Sequence, residues 1–192
     1  MIVMRYYSSG SLLSYVEQNI SRLTWDMKFV LVDFIAYELS ELHENGLVHG
    51  NIHGGNVLIG GASTDIPILC DIRRLEKSTL ISTIQGVLPF IAPEIFHTRK
   101  YTKESDIYAF GIIMHLIATG EQPFKDRELD ANLISEILHG LRPSMPDSAP
   151  DEYKQIAKMC CDADLSKRPD IVKVSKLLAS ASFDRHMEFT LL

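Results

Sequence analysis

The chain has 192 residues, of which 46% are hydrophobic and 23% charged, enough apolar material for one globular domain with a sizeable core and too much for general disorder. A formal net charge of −6 leaves no broad basic surface for a phosphate backbone, so a nucleic-acid partner is not expected. Cys70 and the adjacent Cys160 and Cys161 are odd in number and lack C-x-x-C spacing, which excludes a disulfide framework and a zinc ribbon and points to a reducing, cytoplasmic setting.

Residues 1 to 7 read as a short strand, too short an apolar run for a signal peptide, and no later run reaches the length of a membrane span. Ser8-Ser9-Gly10-Ser11 reads as a turn opening a brief helix near Leu12 to Gln18. Thr24 suits an N-cap, with Asp26 in the first turn against the positive helix end. Met27, Val30, Leu31, Phe34, Ile35, Leu39 and Leu42 then recur at helical spacing, which predicts a core helix ending at Gly46 as its C′ residue. Val57-Leu58-Ile59 and Ile66-Pro67-Ile68-Leu69-Cys70 read as two short strands, with Gly60-Gly61 marking the turn region between them. From about Ser105 to Thr119 the chain is apolar on nearly every face, which predicts a buried helix closed by Gly120. Further helices are expected over Asp130 to His139, Asp151 to Cys160 and Ile171 to Ala181, with Pro143, Pro146 and Pro150 in the loop before the second.

Chemistry concentrates in His49-Gly50-Asn51-Ile52-His53-Gly54-Gly55-Asn56, then Asp71-Ile72-Arg73, then Ala92-Pro93-Glu94. To these add Ser105-Asp106-Ile107-Tyr108-Ala109-Phe110-Gly111 and Leu165-Ser166-Lys167-Arg168-Pro169. Five such segments in this order resemble the C-terminal lobe of a eukaryotic-type protein kinase, nearest to tyrosine-kinase-like members, whose signature runs His-Arg-Asp-Leu-x-x-x-Asn, Asp-Phe-Gly, Ala-Pro-Glu. The resemblance implies a mainly α fold with a small β component over residues 1–182, followed by a tail over 183–192. It also implies that Met4 is the gatekeeper, that Arg5, Tyr6 and Tyr7 form the hinge against an adenine ring, and that Leu58 lies beneath that ring. Glu94 and Arg168 should form a largely buried ion pair, and Asp106 should accept backbone N–H bonds from the loop around His49. Asn56 and Asp71 stand where the family holds Mg²⁺, and an amide oxygen with a carboxylate makes a suitable hard donor set.

The departures from the pattern are as informative as the matches. Asn51 stands in place of the Asp that accepts the substrate's hydroxyl proton, and an amide cannot act as that base. Gly50 replaces the Arg that clasps a phosphorylated activation loop, and His53 takes the place often held by a Lys near the transferred phosphoryl group. Ile72-Arg73 replaces Phe-Gly; Arg73 lacks the freedom of glycine at that hinge and is free to turn its cation toward Asp71. The resemblance begins at the hinge, so the Gly-rich loop, the strand-three Lys and the first large helix of the small lobe are not matched. ATP and Mg²⁺ are therefore the implied cofactors, with weak or absent binding expected.

Other readings of these residues carry less. His43, His49 and His53 invite a metal site, but Gly46, Gly50, Gly54 and Gly55 interrupt any helix that would align an i, i+4 pair. The glycine pairs lack the Gly-Lys-Ser/Thr ending of a P-loop, and Cys160 and Cys161 fit a buried helix face. Three functions stay open: an inactive interaction or regulatory module, a segment of a working Ser/Thr or Tyr kinase, and a nucleotide sensor without turnover. Protein partners are expected, either a separate small lobe or a second copy, through the edge of the Met1–Met4 strand and an apolar patch that includes Leu58. No membrane contact is expected.

Overall fold

A computed structural model of the chain describes residues 6–60, 66–73 and 86–190, with side chains as far as Ser182. Met4, the expected gatekeeper, Arg5 of the expected hinge, residues 1–5 of the first expected strand and Gly61 lie outside the described residues, while Tyr6 and Tyr7, the end of that expected strand, take no strand conformation. Tyr6 is exposed and Tyr7 half-buried, ahead of a turn closed by the Gly10 N–H on the Tyr7 carbonyl.

Helix α1 (Leu12–Asn19) is capped by Ser11, whose hydroxyl accepts from the Ser14 N–H. Helix α2 (Trp25–Glu44) begins at Thr24, which accepts from the Met27 N–H, and ends where Gly46 adopts a φ of +73°, a left-handed value that costs glycine least. The Leu47 N–H reaches back to the Leu42 carbonyl and closes the last turn. Leu31, Ile35 and Leu39 of α2 are buried, as its periodicity predicts. Met27, Val30 and Phe34 are not: with Tyr37 they form a second stripe at helical spacing that stays exposed. The helix is apolar over more of its circumference than the elements packed against it can cover, so periodicity alone assigns too wide a face to the core.

Strands β1 (Val57–Ile59) and β2 (Pro67–Leu69) pair antiparallel, with Leu58 opposite Ile68 and an isolated bridge from Leu58 to Ser11. Leu58, expected to face solvent, is consequently half-buried. A short 3-10 turn at Leu88–Phe90 and helix α3 (Ile95–Thr98), neither signalled by periodicity, lead to α4 (Lys103–Thr119). This helix starts two residues before the expected Ser105 because Thr102 and Ser105 form a reciprocal capping box. It is buried on every face, with α6 (Asp151–Cys160) packed so close that a Cβ at Gly111 would meet Cys161 Sγ at 2.5 Å. Helix α5 (Ala131–Leu138) is capped by Asp130, and α7 (Ile171–Thr190) lays Ile171, Val174, Leu178 and Ala181 into the core beside α2 and α6. Helix α7 runs past the expected end at Ala181 into the stretch read as a tail. The result is mostly helix with one small strand pair, and no described helix is long and apolar enough to cross a membrane.

Candidate functional site

The loop between α2 and β1 wraps around one carboxylate from the first turn of α4. Asp106 is 2% exposed; its Oδ2 accepts from the His49 N–H at 2.8 Å and its Oδ1 from the Gly50 N–H at 2.8 Å. His43 Nε2, at the end of α2, completes the set at 3.0 Å from Oδ2. Gly50 has φ +68°, so the loop turns through a left-handed residue just where both N–H groups converge. Further along, the Gly54 carbonyl accepts from the Leu13 N–H, and a Cβ at Gly54 would meet Leu116 Cδ2 at 2.5 Å. The loop is thereby held against both α1 and α4.

The outer face of the same loop carries the altered positions. Asn51 Nδ2 donates to Asp71 Oδ2 at 2.9 Å, while Asn51 Oδ1 accepts from Arg73 Nη2 at 3.4 Å. Asn56 Nδ2 donates to the Asn51 carbonyl at 2.9 Å, which leaves its own amide oxygen as the atom for a cation. Asp71 sits just beyond β2 with φ +57°, and the Cys70 N–H bonds to the Asn56 carbonyl, so the two expected cation-binding residues are fixed beside each other. The Arg73 guanidinium lies 4.6 Å over the Tyr101 ring. His53 Nδ1 accepts from the Gly55 N–H at 3.1 Å, so in a neutral ring the other nitrogen carries the hydrogen and His53 presents a donor.

Burial lowers the pKa of His53, against the opposing pull of Asp71, and lowers that of His49, against Asp106 and the Cys70 backbone. Both rings are therefore neutral at neutral pH. Between the loop, Phe90 and Tyr101 the crevice holds only about 20 Å³. Among the described residues no three His, Cys, Asp or Glu side chains are grouped to hold a metal ion. Of the other predicted positions, Tyr6 is exposed, Tyr7 and Leu58 are half-buried, and Met4 and Arg5 lie outside the described residues.

Away from the loop, Glu94 and Arg168 make a two-pronged ion pair at 2.7 and 2.8 Å, with the Arg168 side chain fully buried. Two further Arg168 N–H groups go to the Glu104 and Asp162 carbonyls. Sequence reasoning missed the parts played by His43, considered only as a metal ligand, and by Tyr101, Gly54 and Leu13. Nothing in local spacing pairs residue 43 with residue 106; only the fold does.

A sequence model described as protein tyrosine and serine/threonine kinase matches residues 1–178. Cyclic GMP-binding protein C of Dictyostelium discoideum is 25% identical over 92% of the chain and 7% of its own length. A probable serine/threonine-protein kinase of the same organism is 26% identical over 92% of the chain and 14% of its own length. A probable inactive serine/threonine-protein kinase, also from Dictyostelium discoideum, is 29% identical over 76% of the chain and 8% of its own length. The chain thus spans a small part of each of these relatives.

Proposed function

We propose, on the premise that the chain belongs to the protein tyrosine and serine/threonine kinase family, that this kinase lobe transfers no phosphate and serves as an interaction or regulatory module. The observation that carries the reading is the state of Asn51. Its amide stands in the base position with the nitrogen donated to Asp71 and the oxygen taken by Arg73. Asn51 itself cannot accept the proton of a substrate hydroxyl placed there, and His53 offers a hydrogen rather than a lone pair.

The family uses ATP with Mg²⁺, which when bound would supply positive charge against the phosphates. Asn56, through its amide oxygen, and Asp71, through its carboxylate, fit such a cation as hard donors and would hold it here. Asn51 competes for Asp71 Oδ2, so nucleotide binding in this chain is expected to be weak. The probable inactive kinase among the relatives agrees with loss of turnover, though its state is its own. Protein partners, a separate small lobe or a second copy, are the proposed targets.

Incubating the chain with Mg²⁺, labelled ATP and a generic protein substrate should give no transfer above a heat-killed control. Transfer that disappears on Asp71→Ala would overturn the reading and restore a working kinase segment. Light scattering over a concentration series addresses the second copy: a constant monomer mass removes self-association from the proposal.

A further inference from the structure

Helix α2 turns a stripe of four large apolar side chains to solvent. Met27, Val30, Phe34 and Tyr37 are 44%, 53%, 39% and 60% exposed, while Leu31, Ile35 and Leu39 on the other side of the helix are buried. Single exposed apolar residues are ordinary, but four along one helix face make a contiguous patch. Their steps of three, four and three residues are those of the a and d positions of a heptad, the spacing at which one helix lays a seam against another.

The seam is bordered by charge of one sign. In the same heptad frame Asp26 and Asp33 fall at g and Glu38 at e, the flanking positions whose charges choose the partner. Glu41 takes the next a position and closes the seam. Burial pushes the Glu38 carboxyl above its ordinary value, and the Glu41 charge pushes it further. Among the described residues no cation is paired with Asp33, Glu38 or Glu41. Lys28, the only Lys or Arg in α2, is itself buried: its ammonium donates to the Ala118 carbonyl at 2.8 Å and lies 4.5 Å over the Trp25 ring.

This pattern of charge decides what can cover the stripe. A second copy seated on it about a twofold axis would set acid against acid, and an anionic lipid surface would be repelled in the same way. An extended peptide gains no main-chain hydrogen bonds from a helix, whose N–H and C=O groups are taken within it. A helix with an apolar seam and basic flanks meets both the patch and its carboxylates.

We infer that the outer face of α2 docks a cationic amphipathic helix of a partner protein, its apolar seam on Met27, Val30, Phe34 and Tyr37 and its Lys or Arg side chains against Asp33 and Glu38. From Met27 to Tyr37 the seam is about 15 Å long, so the partner contributes about three turns. No residue of the catalytic loop takes part, and the docking stands whether or not the lobe transfers phosphate.

The probe is a capped, fluorescently labelled peptide of three Lys-Leu-Ala-Lys-Leu-Ala-Lys heptads, which places leucine at a and d. One control replaces every Lys by Glu; another scrambles the cationic peptide so that the leucine spacing is lost. Each is titrated into the 192-residue chain at physiological salt by anisotropy and by amide-resolved NMR. The cationic peptide should bind saturably, shift the amides of residues 26–41, and outbind both controls by about tenfold. In the variant carrying Asp33→Lys and Glu38→Lys, with its fold checked by circular dichroism, the preference should reverse toward the Glu peptide. Tyr37→Ser, at the most exposed position of the seam, should weaken the cationic peptide several-fold and serves as the test where the double variant does not fold. Absence of saturable binding, shifts confined to other regions, equal affinity for the scramble, or an unreversed preference in the folded double variant would overturn the inference. A mass that rises with concentration and returns to the monomer on Tyr37→Ser would give the face to a second copy instead.

Discussion

Asp106 and Asp71 are two carboxylates facing the same loop, from opposite sides and in opposite surroundings. Asp106 is sealed beneath it, its oxygens taken by two backbone N–H groups and His43. Asp71 is exposed above it, and its Oδ2 is held by a neighbouring amide. The buried half, extended by Glu94 and Arg168, keeps every group its geometry needs. The exposed half carries Asn51 and Arg73 where the kinase signature has Asp and Gly. The difference follows from cost: altering a buried carboxylate strands its partners in a low dielectric, whereas altering an exposed one leaves water to solvate what remains. A lobe can therefore change residues on its exposed face while keeping its architecture.

The largest test of this contrast is Arg168→Ala, which strands Glu94 and should lower unfolding free energy by about 3–5 kcal/mol in urea denaturation. A loss under 1 kcal/mol, roughly the worth of a surface pair, would erase the distinction between the halves. Next comes Asp106→Asn, which removes the charge from an acceptor serving two backbone donors and should cost about 2–3 kcal/mol. Hydrogen exchange at His49 and Gly50 should accelerate in parallel.

A pH series sharpens the comparison within the loop. His49 and His53 both have folded pKa values below the ordinary value of 6.5, so the unfolded chain binds protons that the folded chain refuses. Their contribution is complete above about 6.5 and is lost as pH falls below it, so stability should drop between about pH 7 and 5. His49→Gln, at the buried position, should flatten that slope more than His53→Gln. The reverse order would mean that the exposed face carries the protonation linkage. The smallest effect belongs to Asn51→Ala, which should shift stability by no more than about 0.5 kcal/mol. A larger loss would show that the Asn51 to Asp71 bond is structural.

Much of this was legible from residue order. Ser8 to Ser11 as a turn, Thr24 as a cap, Gly46 and Gly120 as helix ends, and the strands expected over Val57–Ile59 and Ile66–Cys70, the second of which forms over Pro67–Leu69, all depend on interactions within about a dozen residues. The family motifs likewise lie in short segments, and so did the recognition that Asn51 cannot accept a proton. The exposed stripe of Met27, Val30, Phe34 and Tyr37 was not legible, because which apolar face of a helix is covered depends on where its neighbours land.

By itself the sequence determined the helical content, the kinase-lobe order of its motifs and the identity of the altered catalytic positions, because caps, periodicity and motif chemistry are local. Only the tertiary structure decided that His43 would join His49 and Gly50 on Asp106, that Arg73 would settle over Tyr101, and that Arg142 would find among the described residues no carboxylate such as Arg168 has, donating to backbone carbonyls instead. Each of those pairings spans dozens of residues or turns on which of two similar cations reaches one acid. Burial, by removing water as the alternative partner, is what makes the outcome matter.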